Sequence, residues 1–180
     1  MRLLKSTIHS DLGSLTGSAL ERIAARAIVL KGDDILLMYT ERYHDYTLPG
    51  GGVDQGEDLI TGLKRELSEE TGAQNIRNIE AFGCYEEYRP WYKDDADYMH
   101  MLSYCYLCEI DDELGNNALE DYEINNGMKP VWLNIHHAIQ HNLDTIANNP
   151  KAGMSVERET FLLQQILAEC LSENPLKAAV

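Results

Sequence analysis

Short apolar runs alternate along the chain with polar turns, and their lengths and spacing are typical of β-strands. Two such runs, residues 23–30 and 35–39, flank the polar, glycine-containing segment 31–34. This arrangement predicts a β-hairpin over residues 23–39. Residues 1–20 predict a short strand and a loop, and residues 111–127, which are acidic and rich in Asn and Gly, predict a long loop. Further strands are predicted at residues 79–87, 98–110 and 130–133.

Helical periodicity occurs in three stretches. One helix is predicted over about 58–71 and ends where Gly72 supplies a C-terminal cap. A second begins over Ile135–Asn142, and a third, amphipathic helix covers about residues 155–171. The apolar face of the third helix comprises Phe161, Leu162, Ile166, Leu167, Cys170 and Leu171. Because strands alternate with helices, the predicted fold class is α/β.

The charge balance excludes one large class of functions. The 180 residues include 15 basic and 30 acidic side chains, a formal net charge of −15. Such a surface repels phosphate backbones and anionic lipids, so we expect neither a nucleic-acid polymer nor a membrane as partner. An anionic substrate would then require a cation as mediator. The length favours a single domain over residues 1–180.

Targeting segments and disulfides are not expected. The basic residues at the N-terminus are followed by only two leucines, and no apolar run approaches the roughly 20 residues of a membrane-spanning helix. Cys105 and Cys108 form a C-x-x-C within a predicted strand, where an odd spacing directs the two thiols to opposite faces. We therefore expect buried thiols rather than a zinc site, and a cytoplasmic location.

Negative charge is concentrated on the predicted helix 58–71, within Arg-Glu-Leu-Ser-Glu-Glu at residues 65–70. At 100° per residue, Glu66, Glu69 and Glu70 share one arc that borders an apolar stripe. Like charges one turn apart and near a helix C-terminus are unfavourable, unless a divalent cation binds them. Oxygen ligands suit Mg²⁺ or Mn²⁺. Taken alone, the segment is more typical of a solvated acidic face than of a metal site.

The spacing around these glutamates carries more information. It comprises Gly51, five residues, Glu57, seven residues, Arg65-Glu66-Leu67, one residue, Glu69-Glu70, one residue, and Gly72-Ala73. This arrangement resembles the signature of the Nudix (MutT-type) hydrolase family, with the small residue Ala73 at its last apolar position. The signature covers residues 51–73, and a broader resemblance runs from about residue 22 to 140.

The resemblance implies a Nudix-type α/β/α sandwich with a mixed β-sheet, in which we expect helix 155–171 to cover the face opposite the signature helix. It also implies a metal-dependent pyrophosphohydrolase that cleaves a nucleoside diphosphate linked to another group, by attack of water on phosphorus. Glu66, Glu69, Glu70 and the carbonyl of Gly50 match metal ligands. Arg65 matches a residue that orients the glutamates.

Several assignments stay open. We expect Glu57 to connect the loop that precedes the signature helix to that helix. The general base is expected to be a signature glutamate, Glu120 or Glu123. Half of the aromatic residues lie within residues 85–106, where they would either stack on a base or form core and a homodimer interface, the interpretation that we favour. His136, His137 and His141 are expected at the surface.

Two other functions fit the same family. The first is a non-catalytic ligand-sensing or regulatory domain, which the intact glutamates of the signature disfavour. The second is an isomerase on the same fold, which requires a catalytic Cys–Glu pair that neither Cys84 nor Cys105 obviously supplies.

Overall fold

The structure is a computed structural model that describes residues 1–149 and 152–171. Within these residues, the strands are β1 Leu3–Ile8, β2 Ala19–Ile28, β3 Leu30–Lys31, β4 Asp34–Thr40, β5 Asp45–Thr47, β6 Arg77–Pro90, β7 Tyr98–Glu109 and β8 Met128–Asn134. The α-helices are α1 Leu59–Thr71, α2 Asp121–Asn125, α3 Ile135–Asn148 and α4 Met154–Ile166, the last followed by a π-helical turn, Leu167–Leu171. The predicted domain of residues 1–180 extends into 150–151 and 172–180, which lie outside the described residues.

The strands form two sheets. One has the order β1-β6-β7-β2 and is mixed, because β1 runs parallel to β6 and β2 runs parallel to β7, whereas β6 and β7 are antiparallel. The other is antiparallel and is built around β4, which pairs with β3, β5 and β8. None of the described helices has the length and apolar character needed to cross a bilayer.

Two apolar cores lie on opposite sides of the sheets. On one side, Leu63 and Leu67 of α1 pack with β2, β4 and β7 residues such as Ala27. On the other side, α3 and α4 contribute Ala138 and Leu162 to a core with strand residues of both sheets. The mixed α/β sandwich predicted from the sequence is therefore confirmed, with α4 opposite α1.

The predicted hairpin is only partly correct. Leu30 and Lys31 do turn back onto β4, where they pair with Ile35 and Asp34. The rest of the first apolar run belongs to β2, whose ten residues pair with β7 in the other sheet. One continuous apolar run therefore contributes strands to two sheets. The local periodicity of the sequence does not indicate this division. The predicted loop 111–127 likewise contains α2.

The two cysteines of the C-x-x-C are buried on opposite faces, as the strand spacing predicted. Cys105 belongs to the core beneath α3 and α4, and Cys108 belongs to the core beneath α1. Burial raises the pKa of each thiol to about 12. Both are therefore protonated packing residues at neutral pH.

The C-terminal helix makes a large contribution to one core. Leu162, Leu163 and Ile166 of α4 are completely buried, and the π-helical turn packs against the same cluster. Leu163 lay outside the predicted apolar face, because α4 contacts both α3 and the sheet and so buries a wider arc.

We expect Leu162→Ala to lower the free energy of unfolding by about 2–5 kcal/mol, because it leaves a cavity in this core. The exposed neighbour Gln164 provides the control, and Gln164→Ala should change stability by less than about 0.5 kcal/mol. Urea denaturation measures both.

Truncation after Gly153 should yield aggregated or unfolded protein, and recovery of a soluble, folded monomer would contradict the structural role of α4.

Candidate active site

A cleft of about 720 Å³ opens between α1, the glycine-rich loop of residues 49–53 that precedes it, β2, β5 and the segment containing α2. Its volume lies within the range of about 300–1,000 Å³ that is usual for small-molecule sites. The lining is unusually charged for such a pocket. Its acidic and basic side chains are Asp45, Asp54, Glu66, Glu69, Glu70, Glu120, Glu123, Arg22, Arg26, Arg65 and Arg158.

The glycine-rich loop lies against β2 and against α1 at once. Ala25 N–H donates to the carbonyl of Gly51 at 3.0 Å, and Ala27 N–H donates to the carbonyl of Pro49 at 2.8 Å. Gly50 has a φ of 128°, and a Cβ there would collide with the Ala25 carbonyl. A Cβ at Gly51 would collide with the Glu66 carboxylate. Glycine is therefore required at position 50, whereas a Cβ at position 51 would have to displace the Glu66 carboxylate.

Helix α1 presents its glutamates to this loop. The Asp58 side chain caps its N-terminus by accepting from the N–H groups of Ile60 and Thr61, and Gly72 ends it with a φ of 74°. Leu63 and Leu67 are completely buried beneath it. The buried stripe holds the helix in the rotation that places the glutamates along the cleft.

Arg65 connects the signature residues to one another. It donates to Glu66 Oε1 at 2.7 Å, to Glu69 Oε2 at 3.2 Å and to Glu57 Oε2 at 3.0 Å. A further hydrogen bond, of 3.0 Å, joins it to the carbonyl of Gly52. These bonds from Arg65 lower the pKa of Glu57. Loop and helix are thus cross-linked by a single guanidinium.

Glu70 is the most deeply buried carboxylate of α1. It is 5% exposed, and Gly50 N–H donates to its Oε2 at 2.5 Å. Burial raises the pKa of Glu70 to about 8, opposed by the nearby Arg26 and the Gly50 hydrogen bond. Arg26 itself donates to the carbonyls of Leu48 and Gly50. The Arg26 side chain therefore lies near both the carbonyl of Gly50 and the carboxylate of Glu70.

Both loop glutamates considered as general bases reach the cleft. Glu123 is 4% exposed, and both of its oxygens are occupied, by the Glu120 N–H at 2.8 Å and the Tyr122 hydroxyl at 2.9 Å. Glu120 is exposed at the cleft surface. The negative charge of Glu123 also contributes to the raised pKa of Glu70.

Comparison with known proteins agrees with this architecture. The family model described as NUDIX domain matches residues 20–153, about three quarters of the chain. The chain belongs to the Nudix family.

Solved structures show the same fold. A Nudix hydrolase from Nitrosomonas europaea is 15% identical and has a TM-score of 0.54, over 81% of this chain and 89% of its own. A MutT Nudix hydrolase from Burkholderia pseudomallei is 18% identical and has a TM-score of 0.50, over 80% of this chain and 98% of its own.

Curated relatives match shorter stretches. The RNA pyrophosphohydrolase of Bartonella quintana (strain Toulouse) is 41% identical over 56 residues, which is 31% of this chain and 29% of the relative. The RNA pyrophosphohydrolase of Rhodopseudomonas palustris (strain BisB18) is 35% identical over 78 residues, 43% of each protein. The chain therefore spans less than half the length of these curated relatives.

The Nudix site has an oxygen-only donor set, which fits a hard divalent cation. Within the described residues, no three Asp, Glu, His or Cys side chains are already arranged around a common point as metal ligands. Arg65 occupies one oxygen of Glu66 and one of Glu69, and Gly50 N–H occupies one of Glu70. The second oxygen of each carboxylate keeps acceptor capacity for a cation, whereas the Gly50 carbonyl accepts from Arg26.

Some predicted residues lie elsewhere. None of the aromatic residues within 85–106 lines the Nudix cleft, and Tyr43 and Tyr122 are its aromatic residues instead. His141 is half-buried, and its ring packs 4.7 Å from that of Tyr46 and 4.4 Å from that of the exposed His44. His136 and His137 are exposed, as predicted.

The sequence analysis did not identify several charged cleft residues, among them Arg22, Arg26, Asp45 and Arg158. Arg26 interrupts the apolar run 23–30 and shares its strand face with Arg22, a signal that was available. Asp45 and Arg158 carry no local signal, because they come from β5 and α4 and meet only through the tertiary fold.

The raised pKa of Glu70 predicts a pH-dependent effect of Glu70→Gln on stability. The folded state retains a proton on Glu70 between about pH 4.5 and pH 8, so stability falls as the pH rises through this window. In excess EDTA, Glu70→Gln should therefore exceed wild type in free energy of unfolding by a margin that grows from pH 5 to pH 8. Urea denaturation measures it. Glu113→Gln, at an exposed residue, should show no such trend.

Proposed function

We propose that this Nudix protein is a metal-dependent pyrophosphohydrolase that cleaves a nucleoside diphosphate linked to another group. The observation that carries the proposal is the row of carboxylates Glu66, Glu69 and Glu70 along one wall of a nucleotide-sized cleft. Carboxylates repel an anionic substrate by themselves, and Glu70 is buried at a cost that the described residues only partly offset. A bound cation would offset both the repulsion of the substrate and the cost of burying Glu70.

These three glutamates and the Gly50 carbonyl would hold Mg²⁺ or Mn²⁺. When bound, the cation neutralises the pyrophosphate and lowers the pKa of a coordinated water. Arg65 acts as a positioning residue, because its bonds to Glu66 and Glu69 restrict the rotamers of both. Glu57 fixes Arg65 in turn.

Two arginines on β2 are suited to the substrate phosphates. Arg22 and Arg26 line the cleft from alternate positions of the strand. Within the described residues, neither forms an ion pair of 4 Å or less, whereas Arg65 and Arg158 are both paired with carboxylates. Arg26 donates to the carbonyls of Leu48 and Gly50 through Nη1, and the other donors of its guanidinium would bind a phosphate oxygen without breaking these bonds.

We assign the removal of the proton from the attacking water to Glu120. Glu123 is buried and both of its oxygens already accept a hydrogen bond, so it has less access to the attacking water than the exposed Glu120 has. Glu120 is exposed at the cleft and keeps access to water. Glu123 acts as a positioning residue, because it fixes the backbone of Glu120.

A substrate panel with Mg²⁺ and Mn²⁺, analysed by mass spectrometry, tests the activity. The panel comprises nucleoside triphosphates and their oxidised forms, ADP-ribose, NADH, dinucleoside polyphosphates, nucleotide sugars and a 5′-triphosphorylated RNA oligonucleotide. The RNA is included because the curated relatives are named RNA pyrophosphohydrolases, although the net charge of −15 disfavours long polymers.

We expect hydrolysis of at least one compound and none in excess EDTA. Glu70→Gln should reduce turnover at least about a hundredfold, equivalent to about 3 kcal/mol of transition-state stabilisation, and Glu113→Gln should leave it unchanged. Undiminished turnover in EDTA would refute the mechanism. Binding of a nucleotide without any product would instead favour the non-catalytic sensing domain.

Glu120→Gln should lower kcat by about a hundredfold with little change in KM, because it removes the proton acceptor but not the binding groups. It should also abolish the acidic limb of the pH profile of kcat. Glu123→Gln, which retains an acceptor for the Glu120 N–H, should cost less than about tenfold. Equal losses in the two variants, with the acidic limb intact in both, would exclude this assignment.

A further inference from the structure

A buried carboxylate outside the Nudix signature also lines the cleft. Asp45 lies at the start of β5 and is 6% exposed. The Thr40 hydroxyl is hydrogen-bonded to its carboxyl group, but Asp45 Oδ1 has no hydrogen-bond partner within the described residues. Buried polar atoms are nearly always hydrogen-bonded, so an unpartnered oxygen on the wall of a cleft indicates a partner that binds there.

The charged residues nearby do not neutralise Asp45. Arg158 donates to Glu87 Oε2 at 2.6 Å and, through Nε and Nη2, to Glu159 Oε1 at 2.9 and 2.8 Å. Arg89 donates to Glu87 Oε1 at 2.7 Å. The two arginines and the two glutamates therefore balance each other, and Asp45 adds one uncompensated negative charge.

The surroundings of Asp45 suit a flat, partly apolar group. Thr40 pairs with Asp45 on one side and with Met128 on the other, so the three side chains lie in a row across β5, β4 and β8 on one face of the sheet. Tyr43 also lines this part of the cleft and is 42% exposed. A thioether and a phenol ring are surfaces on which a planar heterocycle stacks.

We propose that Asp45 is the specificity-determining residue of the cleft and accepts a hydrogen bond from an N–H group on the edge of a nucleobase. The proposal rests on the proposed function in one respect, namely that the phosphates of the same ligand lie against α1. A base is favoured over a second phosphate because a carboxylate repels an anion. Burial raises the pKa of Asp45 to about 6, so above pH 7 the group is mainly ionised and can only accept.

Asp45→Asn tests the proposal with little change in shape. Because the Thr40 hydroxyl favours an acceptor, the amide oxygen should remain beside Thr40 and the amide NH₂ should replace the unpartnered oxygen. The variant therefore presents a donor where wild type presents an acceptor. Asp34→Asn is the matched control, because Asp34 is an exposed residue at the far end of β4, outside the cleft.

Calorimetry in Mg²⁺ would measure the binding of non-hydrolysable α,β-methylene nucleotides, compared in pairs whose bases differ by one N–H donor. The pairs are guanine and hypoxanthine, adenine and purine, cytosine and 2-pyrimidinone, uracil and N3-methyluracil, and hypoxanthine and N1-methylhypoxanthine. Wild type should bind the donor-bearing member of at least one pair about tenfold more tightly or better. Asp45→Asn should reduce that ratio below about twofold, and Asp34→Asn should preserve it.

The proposal is overturned if wild type discriminates within no pair, or if Asp45→Asn retains the wild-type ratio. These outcomes are separate from the proposed function. If Asp45→Asn loses base discrimination and wild type hydrolyses no substrate, the base site is supported and the hydrolase is refuted. If wild type hydrolyses a substrate and Asp45→Asn keeps the wild-type affinity ratios, the hydrolase is supported and the base site is refuted.

A second variant covers the case in which Asp45→Asn does not fold. Tyr43→Ala changes an exposed residue and should weaken the binding of every nucleotide about tenfold, while binding of methylene triphosphate without a base stays unchanged. Unchanged nucleotide affinity in Tyr43→Ala would then overturn the proposal.

Discussion

The cleft depends on one close contact, that between the glycine-rich loop and helix α1. Gly50 N–H donates to Glu70, the backbone of Gly51 lies against the Glu66 carboxylate, and Arg65 donates to the Gly52 carbonyl. Without this contact the loop would have no fixed distance from the glutamates. The same loop pairs with β2, so the contact also sets the orientation of α1 relative to the sheet that carries Arg22 and Arg26.

This contact places negative charge where it is unfavourable. Glu66, Glu69 and Glu70 lie in the second half of α1, near the end whose dipole repels anions, and burial raises the pKa values of Glu66 and Glu70. Arg65 and Arg26 offset part of the cost. Arg65 lies on the helix and Arg26 on the sheet, so the site is stabilised from both sides.

The local part of this architecture follows from the sequence. The stripe beneath α1 and the opposite faces of Cys105 and Cys108 are consequences of a 3.6-residue and a 2-residue period, and the cap at Gly72 follows from the ability of glycine to adopt a positive φ. The division of residues 23–30 between two sheets does not follow, because strand pairing is a tertiary property. Part of the cleft cannot be predicted for the same reason, because the β5 and α4 residues that line it are more than 100 positions apart in the chain.

Helix α4 links the stability of the fold to the geometry of the site. Its Glu159 is completely buried, and one carboxylate oxygen accepts from Leu48 N–H at 2.9 Å, immediately before the glycine-rich loop begins. The other oxygen is bound by Arg158, which lines the cleft. The apolar face that anchors α4 in the core therefore also fixes the entry of the loop. A charged pair would be an expensive way to fill a core, but it satisfies a backbone donor that apolar packing would leave unpaired.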